Sequence, residues 1–376
     1  MSFFNLIKNY ITFLKLPYRS KEFVFYSESK YYRYFFTDLI NHLTVENNKY
    51  VIYLSSEKDD INFFKENKNI FVIFVGNGIV RSLLFKTLRC KFMIMTLTDL
   101  NNNLKKSINC KKYIYFFHSP ASTHLVYTKE AFKNYDIIFC NGDYQCEELR
   151  KAENIFGFQK KELVKTGYFF LDHIMNKAKV NNKIKDTILF APSWNYNISN
   201  LFDEYSFKII DILLKEGFKV ILRPHPEHFK RSIKVILKIN ENFINNPNFT
   251  LDKSESNLES MEKSELLITD NSLIALEFTL TFKRPILYVN YKEKLHNISF
   301  NEVQLPTLEM NFKKIFGNEI NISNIDNISQ CCKDAIQDIK FSDKNILDFK
   351  NKNFYNLGNS AFFASKYLIN YSETIK

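Results

Sequence analysis

The chain has 376 residues, 45% hydrophobic and 25% charged, with 52 Lys and Arg against 41 Asp and Glu for a formal net charge of +11. That length and apolar content exclude a disordered chain and favour two domains of roughly 150–200 residues over one. The basic excess suits an anionic partner, whether a phosphate-rich substrate, a nucleic acid or an acidic membrane surface, without choosing among them.

The first element spans residues 1–20. Phe3, Phe4, Ile7, Ile11 and Leu14 recur at helical spacing, Leu6, Tyr10 and Phe13 widen the stripe, Lys8 and Lys15 stand among the remaining positions, and Pro17 ends the pattern. This is an amphipathic helix that either lies on an anionic leaflet or packs on the domain behind it. No stretch approaches the roughly 18 apolar residues of a membrane span, and no signal peptide is visible, so a chain neither secreted nor membrane-spanning is expected.

Short apolar runs follow at 23–27, 50–55, 70–75, 92–97, 113–119 and 137–140, separated by polar, helix-like stretches. Runs of this length without strict alternation suit parallel strands buried on both faces. A second series occupies 187–193, 219–224, 266–269 and 285–290, with helical stretches at 201–216 and 271–282. Two blocks of alternating strand and helix predict two α/β domains, each with its ligand edge at the carboxyl ends of its strands. The expected boundaries are 21–175 and 187–350, with a Lys- and Asn-rich linker at 175–186 and a closing helix at 351–376. The six cysteines, Cys90, Cys110, Cys140, Cys146, Cys331 and Cys332, form no CxxC pair and no metal spacing, which argues for a reducing compartment without structural zinc.

Three strand ends carry chemistry. In Ile221-Leu222-Arg223-Pro224-His225-Pro226, two prolines flank one histidine just past an apolar run. Each proline pushes the residue before it into an extended conformation, which holds Arg223 and His225 at the ligand edge as donors for a phosphate. The alternative is a strand-ending turn with a solvated histidine. After Leu266-Leu267-Ile268-Thr269, the residues Asp270, Asn271 and Ser272 offer capping side chains to a helix through Ile274, Ala275 and Phe278. Such a helix start attracts a phosphate, with Glu277 one turn in as an acceptor for ribose hydroxyls. The bland reading is that Asp270 and Ser272 only cap and Glu277 is a solvated charge. In 113–124 a strand ends in His118, placed to act as a general base; His124 lies further into the loop, and the alternative for both is a packed or solvated histidine.

Taken together, the histidine-x-proline after the strand, "TGYFFLD" (166–172), "ILFAPSW" (188–194), "ILRPHP" (221–226), "ITDNSLIALEFTLTFKRPILYV" (268–289) and "GNSAFFASKYL" (358–368) resemble the CDP-glycerol glycerophosphotransferases. These are the teichoic-acid primases and polymerases, whose relatives also build capsule and other surface polymers. The resemblance covers roughly residues 110–370. It implies a GT-B fold of two facing Rossmann-like domains, an N-terminal one for the acceptor and a C-terminal one for the CDP-alditol. It also implies that Arg223 and His225 contact the donor pyrophosphate, with Thr269, Asp270, Asn271, Ser272 and Glu277 lining the nucleotide site. His118 matches the histidine assigned there as the base. The implied reaction moves an alditol phosphate, of glycerol or ribitol, from its CDP carrier to a hydroxyl of a lipid-linked or polysaccharide acceptor and releases CMP. No cofactor and no obligatory metal are needed, because positioning and charge neutralisation dominate such transfers.

The chain departs from the family pattern in places. Ser119 replaces a glycine, Thr166 to Asp172 lacks the family's arginine, and Asn271 and Leu273 replace a tyrosine and a serine. A GT-B glycosyltransferase using a nucleotide sugar is the alternative reading. A non-catalytic nucleic-acid- or membrane-binding protein would explain the charge but is disfavoured, since the lysines are dispersed and no recognition signature is present. A nucleotide-sugar epimerase lacks an assignable acidic set. The expected location is cytoplasmic, with peripheral attachment to the inner face of the cell membrane as a candidate.

Overall fold

The computed structural model describes residues 3–98, 100–102, 104–181, 186–195, 199–292, 297 and 299–375. The chain forms two compact units. The first takes residues up to His173 together with 299–303 and those from Asn351 onward; the second takes 174–298 and 304–350.

The first unit is built on seven strands: β1 (Phe23–Ser27), β2 (Val51–Ser55), β3 (Ile70–Phe74), β4 (Cys90–Met95), β5 (Cys110–Phe116), β6 (Ile137–Cys140) and β7 (Glu162–Lys165). All pair in parallel, in the order β3-β2-β1-β4-β5-β6-β7. Every residue of β1 is buried, which is why its sequence is an unbroken apolar run closed by one serine. One face packs Phe25 edge-on to Phe36, with ring centroids 5.4 Å apart, and Phe116 against Phe169 at 4.5 Å. The last helix, Ser360–Thr374, lays Ala361, Ala364 and Leu368 on this same core. The closing segment therefore belongs to the first unit, far back along the chain.

The second unit holds β8 (Thr187–Phe190), β9 (Lys219–Leu222), β10 (Phe249–Leu251), β11 (Leu266–Thr269), β12 (Ile286–Asn290) and β13 (Gly317–Asn321). They too are all parallel, in the order β10-β9-β8-β11-β12-β13. Each sheet starts at an inner strand, builds outward to one edge, then returns to build the other. The reversal leaves a crevice outside the carboxyl ends of the two strands where the order switches, β1 with β4 and β8 with β11.

The linker expected at 175–186 begins inside a helix, Phe169–Lys177, and positions 182–185 lie outside the described residues. The first helix, Phe3–Lys15, packs through a fully buried Phe13.

Candidate functional site

In the second unit, β9 hands the chain to the ligand edge. The Arg223 N–H donates to the Phe190 carbonyl at 2.9 Å, extending the ladder with β8 by one bond. Pro224 has no donor and ends it. His225 is extended (φ −59°, ψ 146°), exposed, and forms the N-cap of the short helix Pro226–Arg231. Its Nδ1 accepts the Glu227 N–H at 3.2 Å, which in the neutral ring puts the proton on Nε2. Pro226 takes the first helical position, where a missing N–H costs nothing. One proline closes a strand and the other opens a helix, with the histidine as the cap between them.

The Arg223 guanidinium is not idle. It donates to the Asp252 carboxylate, to Ser254 Oγ at 3.1 Å and to the Glu255 carbonyl at 3.3 Å. Asp252 also accepts from the Ser254 N–H at 2.8 Å and from the Ser260 hydroxyl. Burial alone would raise this carboxyl, but Arg223 and the two serines hold it below the usual carboxylate range. The loop after β10 is thereby tied to the end of β9. From the same loop, Asn257 Nδ2 donates to Glu277 Oε2 at 3.1 Å, and Glu277 is nearly buried.

At the switch between β8 and β11 the sequence expectation needs correcting. Asp270, Asn271 and Ser272 do not cap a helix. The helix is Ile274–Phe282, it starts after Leu273, and no side chain caps it. Asp270 instead accepts the Ser193 N–H at 2.7 Å and the Ser193 hydroxyl at 2.9 Å, while the Thr269 hydroxyl donates to the Ala191 carbonyl at 2.7 Å. Both residues lock β11 to the end of β8. Asn271 Nδ2 reaches the Lys292 carbonyl at 3.1 Å. The N–H groups of Ala275, Leu276 and Glu277 go to the Ser272 and Leu273 carbonyls at 3.1–3.4 Å, so what this helix start offers an anion, at the crevice of a doubly wound sheet, is the positive end of its dipole.

His228 was not singled out by sequence. It is fully buried, its ring lying on Phe202 at 4.2 Å and edge-on to Trp194 at 4.9 Å. Burial lowers its pKa to about 4, so the ring is neutral. Its signal was available: a second histidine three residues on from a helix cap returns to the same side of the first turn.

In the first unit, His118 follows β5 by two residues, at that sheet's carboxyl edge. Its ring lies 4.9 Å from Tyr32 and 6.2 Å from Phe35, and Nδ1 is buried without a partner among the described residues. Burial lowers its pKa to about 4, so at neutral pH it carries no charge and can accept a proton. The loop behind it is pinned: Asn141 Nδ2 donates to the Ser119 carbonyl at 3.3 Å, Tyr144 to that of Pro120 at 2.7 Å, and Gln145 Nε2 to that of Ala121 at 3.1 Å. His124 has a structural setting, stacked on Phe300 at 5.2 Å and 3.4 Å from Glu148. His173, also not anticipated, holds Asp38 at 3.0 Å.

Two of the quoted motifs prove to be one contact. Asp172 accepts the Gly358 N–H at 2.7 Å, the Ser360 N–H at 3.0 Å and the Ser360 hydroxyl at 2.5 Å. Gly167 sits at φ +110°, and a Cβ there would collide with the Tyr355 carbonyl and the Ser360 hydroxyl. These residues fasten the closing helix to the first unit.

A family model described as CDP-glycerol:poly(glycerophosphate) glycerophosphotransferase matches residues 9–353. No curated protein matches the chain by sequence. Among solved structures, the wall teichoic acid polymerase TagF is similar with a TM-score of 0.58 at 14% identity, over 99% of this chain and 95% of that one. The UDP-GlcNAc 2-epimerase of Methanocaldococcus jannaschii, in complex with UDP-GlcNAc and UDP, gives 0.57 at 13% identity, over 93% and 99% of the two chains. The S. aureus MnaA–UDP structure gives 0.59 at 12%, over 94% and 98%. At such identities the structural likeness speaks for the fold, which is GT-B-like with two parallel-sheet α/β domains.

Proposed function

The chain belongs to the CDP-glycerol:poly(glycerophosphate) glycerophosphotransferase family, and from that premise we propose that the carboxyl edge of its second sheet holds the donor while His118 takes the proton of the acceptor hydroxyl. The protein is a transferase that moves glycerol phosphate from CDP-glycerol to a polymer acceptor. In the step proposed, the acceptor oxygen attacks the β-phosphorus, the bond from that phosphorus to the bridging oxygen breaks, CMP leaves, and a phosphodiester forms. The acceptor proton passes to His118.

On the donor side, His225 offers its Nε2–H to the pyrophosphate, and the uncapped start of Ile274–Phe282, with Ser272, receives negative charge. Thr269 and Asp270 hold that turn in place, and Asn271 ties it to the end of β12. Glu277 and Arg223 act on the donor through the loop at 252–257, which both of them bind. The acceptor in this reading is lipid-linked or a surface polysaccharide, teichoic acid or capsule. The enzyme works at the cytoplasmic face of the membrane, to which the helix Phe3–Lys15 attaches it peripherally.

The observation that supports His118 as base is its neutral, half-buried ring with an unpartnered Nδ1 at the carboxyl edge of the first sheet. CMP release from CDP-glycerol in the presence of a glycerophosphate oligomer tests it. His118→Ala should lower kcat by about 10²–10⁴-fold with KM nearly unchanged. In the wild type, the acid limb of kcat/KM should fall near pH 4 and not near 6.5. Unchanged turnover in the variant removes His118 from the chemistry.

A further inference from the structure

In the first sheet the strand order reverses between β1 and β4, and the crevice there carries polar groups that belong neither to the donor edge nor to the base. Arg81 stands in the helix Ile79–Thr87, which packs on β1 by setting Phe85 edge-on to Tyr26, ring centroids 4.8 Å apart. Its Nη1 donates to the Tyr26 hydroxyl at 3.0 Å and to Asn77 Oδ1 at 3.1 Å. The Ser56 hydroxyl donates to the Gly76 carbonyl at 2.9 Å, so its oxygen accepts from Tyr26 at 3.0 Å, and the Tyr26 oxygen accepts from Arg81. This one-way chain fixes the guanidinium against the end of β1. Nη1 is spent on it, while Nε is buried and finds no partner among the described residues. A buried N–H on a cation is costly to leave unmet, which marks the place of a missing acceptor. Burial raises the carboxyl of Glu28, the residue after β1, above the usual carboxylate range, with Arg81 opposing the rise.

Strand register relates this group to His118. Tyr26 of β1 pairs with Met95 of β4, and Met95 with Tyr115 of β5, three residues before His118. Arg81 and His118 are thus anchored near one level of the same edge, two strand spacings or roughly 10 Å apart along it. They approach it from opposite faces: Tyr26 packs on the helix of Arg81, whereas Phe25 and Phe116 both pack on Phe36, at 5.4 and 5.0 Å. The loop that leaves β1 runs from Glu28 to Tyr32, whose ring lies against His118. On the strand between them, Thr96 follows β4 and its buried hydroxyl has no partner among the described residues. A ligand lying across this edge therefore meets a proton acceptor at one end and a cation with an unmet donor at the other. A neutral glycan offers hydroxyls to the first and nothing to the second. A chain whose terminal hydroxyl is followed by a phosphodiester satisfies both, and a guanidinium fork is suited to phosphate oxygens.

We propose that Arg81 selects the acceptor: its Nε takes a phosphodiester oxygen of a polyol phosphate chain, Glu28 accepts from a hydroxyl beside that phosphate, and the chain's terminal hydroxyl comes to His118. This rests on His118 as the base and adds the residues that recognise what the base deprotonates. The test compares transfer from CDP-glycerol to a glycerol phosphate oligomer and to an uncharged glycerol glycoside. Arg81→Gln should raise KM for the oligomer about 10–100-fold, far more than it lowers kcat, with the uncharged acceptor and CDP-glycerol affinity as in the wild type. Arg81→Lys, which keeps the charge but not the fork, should recover only part of that loss. Glu28→Ala should raise the same KM about tenfold; it leaves the Arg81–Tyr26–Ser56 chain intact and so tests the subsite even if Arg81→Gln disturbs the fold. An oligomer KM unchanged in both Arg81→Gln and Glu28→Ala overturns the proposal. Equal losses on the charged and uncharged acceptors would make Arg81 a support of β1 alone, and weakened CDP-glycerol binding would assign it to the donor; either overturns it. Calorimetry of the oligomer without donor separates this site from the reaction. If the wild type transfers to neither acceptor, the proposed function fails, while oligomer binding weakened in Arg81→Gln still supports the site and binding left unchanged overturns it.

Discussion

His225 stands between two prolines with opposite tasks; its ring caps a helix, and in the proposal above its other nitrogen meets the donor. Because Nδ1 caps Pro226–Arg231, His225→Ala should cost about 1 kcal/mol of stability through the cap. His225→Asp restores a capping oxygen but presents a negative charge to the donor. It should therefore recover stability in denaturant unfolding without recovering CDP-glycerol affinity; recovery of both would reduce the histidine to a cap. Gly167 makes a second residue-scale point. Its positive φ and the absence of space for a Cβ predict that Gly167→Ala destabilises the protein by about 1–3 kcal/mol or more. Loosening of the closing helix, read by hydrogen exchange, should accompany that loss. The conformational need of this glycine was invisible in sequence, because the atoms that crowd it lie nearly two hundred positions further on. Asp270 was misread for a similar reason. Its local pattern is that of a cap, and a long-range partner, Ser193, takes the carboxylate instead.

At the scale of elements, Arg223 and Asp252 join the ends of β9 and β10. Arg223→Ala leaves a largely buried carboxylate without its cation and should cost about 3–5 kcal/mol, far more than loss of one ligand contact. Removing Asp252 as well should restore much of that stability in a double-mutant cycle. Additive losses would mean that the pair does not organise the loop. The strands legible in sequence were mostly inner ones, whose burial on both faces writes an apolar run into the chain. The three that escaped, β7, β10 and β13, are edge strands with sequences ELVK, FTL and GNEIN. An edge strand has one side open to water, so polar residues are tolerated there and the run is interrupted. The doubly wound architecture was still readable, because the inner strands alone define the alternation of strand and helix.

For the molecule as a whole, burial holds both His118 and His228 down to about pKa 4, below the ordinary 6.5. Above pH 6.5 neither state binds these protons and stability is unaffected. As pH falls from about 6.5 to about 4 the unfolded chain takes up protons that the folded one refuses, so stability is progressively lost. Denaturant midpoints across that range should fall with pH, and His228→Phe, which keeps an aromatic ring in the slot, should flatten the slope. A midpoint independent of pH would contradict the burial of both rings as neutral groups. The two-unit organisation also explains why the family motifs are scattered along the chain. Some order the carboxyl edge of the second sheet, while Thr166 to Asp172 and Gly358 to Ser360 fasten the last helix to the first unit.

We propose that the carboxyl edge of the second sheet is built for the CDP carrier. Calorimetric titration of the wild type and His225→Ala with CDP-glycerol, CDP-ribitol, CMP, UDP-N-acetylglucosamine and GDP-mannose tests it most directly. The account predicts preference for CDP-glycerol, weakened in the variant by about 1.5–3 kcal/mol, as loss of a charge-assisted phosphate contact implies. Equal affinity of wild type and variant, or preference for a UDP or GDP sugar, would contradict it.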